Sequence, residues 1–120
     1  MNTVIPIFRI FDIDKARDFY IDWLGFKIDW EHRFGDNSPL YMSVSKDDIT
    51  LHLSEHYGDA TPGSKVMINY TNLKDYCAGL QAKNYRYYKP AVEESEWNSY
   101  IMTVTDPFGN RLMFNEPKAV

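Results

Sequence analysis

Thr3 to Ile10 alternates between apolar and polar positions enough to predict a strand, with Pro6 marking an edge or a strand whose partner lies elsewhere in the sequence. The period then lengthens. Asp12 stands where a helix cap belongs, and Ile13, Ala16, Phe19, Tyr20, Trp23 and Leu24 follow at helical spacing until Gly25 ends the run. From Phe26 to Phe34 the shorter period returns, placing Phe26, Ile28, Trp30, His32 and Phe34 on one side and Lys27, Asp29, Glu31 and Arg33 on the other. Leu40 to Ser45 and Ile49 to Glu55 read as two further strands, turned through Lys46, Asp47 and Asp48. In the second of these, Ile49, Leu51 and Leu53 oppose Thr50, His52, Ser54 and His56.

Residues 57–64, punctuated by Gly58, Pro62 and Gly63, form a loop at the middle of the chain, and beyond it the same order recurs. Lys65 to Tyr70 predicts a strand, Asn72 a helix cap, and Leu73, Tyr76, Cys77 and Leu80 the apolar stripe of a helix. Strands follow near Ala91 to Glu94, Tyr100 to Thr105 and Arg111 to Asn115. Between the last two, Pro107 presets a turn angle, Asp106 can bond back to the chain, and Gly109 or Asn110 can take the positive φ that reverses it. Sixty residues separate Ile13 from Leu73, Ala16 from Tyr76 and Tyr20 from Leu80. A shift of half the chain that matches strand, cap and helix face together predicts an α+β fold of two βαβββ modules, about 1–57 and 64–117, in a single domain spanning 1–120. Each module leaves one sheet face unused by its helix, so the two faces are expected to close on each other as a barrel-like shell with a cleft.

Composition narrows the function. The 120 residues are 44% hydrophobic and 25% charged, while 16% are aromatic, an excess over core needs that suggests a binding surface. A net charge of -4 with no cluster of lysine and arginine disfavours nucleic acid and anionic membrane and favours a cationic ligand. The N-terminus lacks the pattern of a secretion signal and no segment is apolar enough to span a bilayer, so a cytoplasmic protein is expected. The single cysteine, Cys77, lies on a helix stripe where a thiol usually acts as a small hydrophobe, and it excludes an internal disulfide.

The run Val4-Ile5-Pro6-Ile7, then Asp12, Ala16-Arg17-Asp18-Phe19-Tyr20 and Leu24-Gly25-Phe26, followed by Asp106-Pro107-Phe108-Gly109-Asn110, resembles the glyoxalase/bleomycin-resistance (vicinal oxygen chelate) superfamily over essentially the whole chain. The resemblance implies paired βαβββ modules. It also implies that the four ligand positions of the superfamily's metal enzymes fall here on Ile5, His52, Lys65 and Met113, of which only His52 is an ordinary metal donor. No metal and no cofactor are therefore expected. His52 and His56 would lie about 13 Å apart on one strand face, too far to chelate one ion, and the plain reading has His52 hydrogen-bonded and His56 at a solvated loop entry.

Among members without metal, the resemblance is to bleomycin-resistance proteins, carried by Phe26 to Trp30 and Phe34, by Asp47 to Ser54, and by Trp97. Such proteins bind the antibiotic without altering it, gripping a flat heteroaromatic group between rings, and the matching rings are Trp30, Phe34 and Trp97. Each stacked pair gives about 0.5–1.5 kcal/mol beyond area burial, and Glu93, Glu94 and Glu96 could supply a field for a cationic tail. The ligand-binding set implied is Trp30, Phe34, Tyr41, His52, Ser54, Trp97, Tyr100 and Met113, with no catalytic residue. Against it stands the possibility that Trp30 is core. The aromatic run 85–88 reads either as cleft rim or as subunit contact. A homodimer with a small-molecule ligand is expected, its N-terminal strand open to exchange. The alternatives are a metal-dependent lyase or dioxygenase of the same superfamily and a member that binds a metabolite.

Overall fold

A computed structural model describes residues 2–86 and 89–119. Its elements are β1 (Ile7–Arg9), α1 (Ile13–Arg17) continued by a π-helical segment (Asp18–Trp23), β2 (Lys27–His32), β3 (Tyr41–Lys46), β4 (Ile49–Ser54), β5 (Lys65–Asn69), α2 (Leu73–Ala82), β6 (Glu93–Glu94), β7 (Ser99–Thr105) and β8 (Arg111–Pro117). They make an α+β structure with two four-stranded sheets, ordered β1-β4-β3-β2 and β5-β8-β7-β6. Each sheet joins its first and last strands in parallel, β1 to β4 and β5 to β8, and the remaining pairs are antiparallel. Among the described residues no helix is long and apolar enough to cross a membrane.

The chain falls into two compact units. The first takes residues 2–64 with Asp106–Asn110, and the second takes Lys65–Thr105 with residues 111–119. The β7–β8 turn groups with the first unit because its polar side chains are spent there. Tyr20 Oη donates to Asp106 Oδ2 at 2.7 Å, and Asn110 Nδ2 donates to the carbonyl of Arg9 at 2.8 Å. The turn itself follows the sequence logic: Asp106 Oδ1 accepts from the N–H groups of Phe108 and Asn110, and Gly109 takes a φ of 91°.

In the first unit Asp12 caps α1, its Oδ1 accepting the N–H of Lys15 at 3.0 Å. The helix then widens, the N–H of Leu24 bonding to the carbonyl of Phe19 five residues back. This widened turn packs large rings, with Phe19 lying 4.9 Å from Tyr20 and 5.3 Å from Trp23. These rings are buried together with Phe8, Met42, Val44, Leu51 and Leu53, which defines the helix-covered face of the sheet. β1 is shorter than the predicted Thr3–Ile10. Its ladder begins at the carbonyl of Pro6, which accepts the N–H of His52 at 2.9 Å, and Val4 ahead of it is exposed.

The face assignment predicted for β2 is half wrong. Ile28 pairs with Val44 but Trp30 pairs with Ser43, so the ladder skips Asp29, which is bulged out. Residues opposite one another in a ladder share a face, so Ile28 stands with buried Val44 on the helix side while Trp30 stands with Ser43 on the other. Glu31 is switched to the helix side as well, where Arg17 pairs with it. A strict two-residue period would have placed Ile28 and Trp30 together.

In the second unit Leu73, Cys77, Leu80, Met102, Val104, Leu112 and Phe114 are buried under α2. Asn72 is the first residue of that helix cap, as predicted, but adopts φ 62° and makes no capping bond with its side chain. Glu116 supplies the cap instead: its carboxylate accepts the N–H of Asn72 at 2.8 Å and that of Leu73 at 3.1 Å. Of the aromatic run 85–88, Tyr87 and Tyr88 lie outside the described residues. Tyr85 lines a depression of about 160 Å³ with Leu80, Gln81, Asn84 and Lys89.

Candidate functional site

The face of the first sheet turned away from its helix carries a strip of rings. Trp30 (β2) and Tyr41 (β3) are stacked with centroids 5.9 Å apart and planes 12° from parallel, and His52 (β4) meets both edge-on at 5.2 Å. The strip continues through His56, 6.3 Å from Tyr41 and 5.9 Å from Phe34, to His32, 4.7 Å from Phe34. All three histidines of the chain are in it. The bulge at Asp29 makes this possible, since without it Trp30 would face the helix.

Trp30 is 46% exposed and Phe34 81% exposed, so neither is core. With His32, Tyr41, His56 and Asp59 they line a depression of about 400 Å³. Tyr41 Oη and His52 Nδ1 share a hydrogen bond of 2.8 Å that holds both rings in place. Partial burial pushes the His52 imidazole below its ordinary value, with the nearby Asp29 carboxylate opposing. Burial first, and the charge of Asp59 second, push the Tyr41 phenol up, so it keeps its proton at neutral pH.

Two carboxylates border the strip, and sequence reasoning missed both. Asp29, thrown to this face by the bulge, accepts from Ser43 Oγ at 3.3 Å and Ser45 Oγ at 2.8 Å. Asp59 accepts from Ser54 Oγ at 2.6 Å. Nothing in the strand pattern announces a bulge, and Asp59 sits in a loop whose composition predicts only that it is a loop.

Ser54, expected as a ligand contact, is wholly buried. Its Oγ also accepts the N–H of His56 at 3.0 Å, so its hydroxyl is spent within the protein and Asp59 is what reaches the depression. His56 corrects its plain reading too: it is half-buried and packed on two rings rather than solvated at a loop entry.

In the second unit the face turned away from α2 carries Met113 and Asn115, with Lys65, Met67 and Asn69 beside them on β5. Trp97, 53% exposed, is tied to this face by a 3.0 Å bond from its Nε1 to Asn115 Oδ1. Tyr100 does not join it. It pairs with Glu116 on the α2 side, where Lys74 Nζ lies 4.1 Å and Lys118 Nζ 5.1 Å from its ring centre. Ladder parity places it opposite Met113, so Tyr100 belongs with α2 and with Lys74, Cys77, Gln81 and Glu94 around a depression of about 380 Å³. Of the glutamates expected to give a negative field near Trp97, Glu94 is neutralised by Lys118 at 3.0 Å, and Glu93 pairs with Ile101 on the Met113 face. Cys77 is buried, and burial raises its thiol, leaving it unsuited to nucleophilic work.

The positions at which the resemblance puts metal ligands do not fit an ion. Ile5 offers hydrocarbon, His52 has Nδ1 committed to Tyr41, Lys65 is a cation, and Met113 is a buried thioether. Among the described residues no three His, Cys, Asp or Glu side chains gather as a group able to hold a metal ion.

Compared with protein families, residues 1–120 match the model described as glyoxalase superfamily protein. Among solved structures the chain is similar to a bleomycin resistance determinant encoded on the transposon Tn5, at 19% identity and a TM-score of 0.77, with 99% of this chain and 100% of that one covered. It is similar to a bleomycin-binding protein complexed with bleomycin at 20% identity and a TM-score of 0.74, covering 98% and 100%. It is also similar to TnmS3, an antibiotic binding protein from Streptomyces sp. CB03234, at 23% identity and a TM-score of 0.70, covering 98% of each chain. Identities this low speak for a shared fold. No curated protein matches the chain.

Proposed function

The chain belongs to the glyoxalase superfamily, and from that premise we propose that it is a non-catalytic binding protein that sequesters a bulky aromatic, cationic ligand of the bleomycin type and so confers resistance. The observation that carries the reading is the exposed ring strip of the first unit, in which Trp30 and Tyr41 stand stacked and a hydrogen bond to His52 holds Tyr41. A planar heteroaromatic group laid on such rings gains stacking at reduced ordering cost, because the Tyr41–His52 bond already holds two of them. The carboxylates of Asp29 and Asp59 beside the strip, in no ion pair among the described residues, favour a cation on the same ligand. Sequestration needs no bond to be made or broken, which agrees with a site whose strongest features are rings and not nucleophiles.

Three relatives by fold are described as binding bleomycin, conferring resistance to it, or binding an antibiotic, which supports the same direction. In this reading the protein works in the cytoplasm as a homodimer, a second copy covering apolar side chains such as Ile7 and Met67 that one copy leaves exposed. Titration with bleomycin is expected to quench tryptophan fluorescence with an affinity of about 1 µM or tighter. Trp30→Ala is expected to weaken binding roughly tenfold with the fold intact, and Trp97→Ala to weaken it as well. Calorimetry showing no heat, together with no quenching at saturating drug, would exclude the antibiotic.

A further inference from the structure

The depression beside the ring strip is lined by one carboxylate, Asp59, that engages only one of its two oxygens among the described residues. Asp59 is exposed, and among the described residues it is in no ion pair. Its Oδ2 accepts a hydrogen bond from Ser54 Oγ, whereas no hydrogen bond reaches Oδ1 among the described residues. Asp29 differs, because both of its oxygens accept from serine hydroxyls. Asp59 is also held. The N–H of Asp59 bonds to the carbonyl of His56 at 3.3 Å, and Ser54, buried in β4, clamps the carboxylate from below. The buried Ser54 hydroxyl needs an acceptor and Asp59 Oδ2 supplies it, so one oxygen of the carboxylate is held while the other accepts no hydrogen bond among the described residues.

Resting on the ring-binding reading above, we propose that Asp59 is a specificity-determining residue that selects a cationic nitrogen on the aromatic ligand, and that Ser54 is the positioning residue that aims it. The geometry fits that task. Asp59 lines the same depression as Trp30, Phe34 and Tyr41, so a ligand whose ring lies on the strip can present a charged group to Oδ1 without leaving it. A cation there gains from the carboxylate and from the ring faces together. The selection is electrostatic: it weakens with added salt, while the ring contribution does not.

The test uses two planar fluorescent probes of similar ring size, proflavine, cationic at neutral pH, and acridone, which is neutral. Each is titrated into the full chain as wild type, Asp59→Asn, Ser54→Ala and Ser54→Thr. Wild type is expected to prefer proflavine. Asp59→Asn is expected to lower proflavine affinity by roughly three- to tenfold and leave acridone unchanged. Ser54→Ala shifts the ratio the same way, and Ser54→Thr, which keeps the hydroxyl, restores it. An unchanged ratio in Asp59→Asn, with both probes still bound, overturns the proposal and leaves the ring-binding reading standing. Failure of wild type to bind either probe overturns the proposal, and the bleomycin titration above separately decides the ring-binding reading. Equal loss in Ser54→Ala and Ser54→Thr shows that Ser54 only packs and removes its positioning role.

Discussion

His52 shows how one residue's chemistry is set by its surroundings. Partial burial holds its folded-state value below the ordinary 6.5, so the unfolded chain binds the proton more readily and folding loses stability as pH falls from about 6.5 through the lowered value. The loss has a physical source: taking the imidazolium partly out of water costs more than the nearby Asp29 carboxylate returns. Thermal midpoints measured across that range are expected to fall more steeply for wild type than for His52→Gln, and parallel curves would contradict the assignment. That His52 faces away from the helix was legible in the alternation of β4. Its partner was not, because Tyr41 and His52 are eleven positions apart and meet only when β3 and β4 pair.

Among the elements, the helices illustrate where local sequence suffices and where it does not. Asp12 caps α1 as read, since a cap three residues from its N–H target is a local bond. α2 takes its cap from Glu116, more than forty residues away, because Asn72 turns left-handed and its side chain misses the helix N–H groups. Glu116→Ala is therefore expected to destabilise the protein by about 1 kcal/mol in denaturant unfolding, and Asn72→Ala to cost no more than its change of backbone preference. A stability loss for Asn72→Ala greater than that for Glu116→Ala would reverse the roles. The bulge in β2 carries the largest consequence of any element. Deleting Asp29 would leave Ile28 and Trp30 adjacent and still opposite Val44 and Ser43, so Trp30 is expected to keep its face while the strip loses the Asp29 carboxylate at its border.

For the molecule as a whole, the exposed apolar residues Ile7 and Met67 are a liability in a lone chain that the homodimer proposed above would remove. Sedimentation velocity at tens of micromolar is expected to give about twice the chain mass of 14.1 kDa, and a monomer throughout would refute the pairing. The sequence by itself determined the repeated order of strands and helices, the turn at Asp106–Asn110 and the aromatic surplus, because periodicity, caps and turn residues act over a few positions. Only the tertiary structure decided which side chains share a face and what they touch. The skipped residue in β2 sent Trp30 and Ile28 to opposite sides, and ladder parity separated Tyr100 from Met113. A buried serine handed its place in the depression to Asp59. Register and long-range hydrogen bonds are fixed by the partner strand and the core, and a single chain of letters carries neither until it folds.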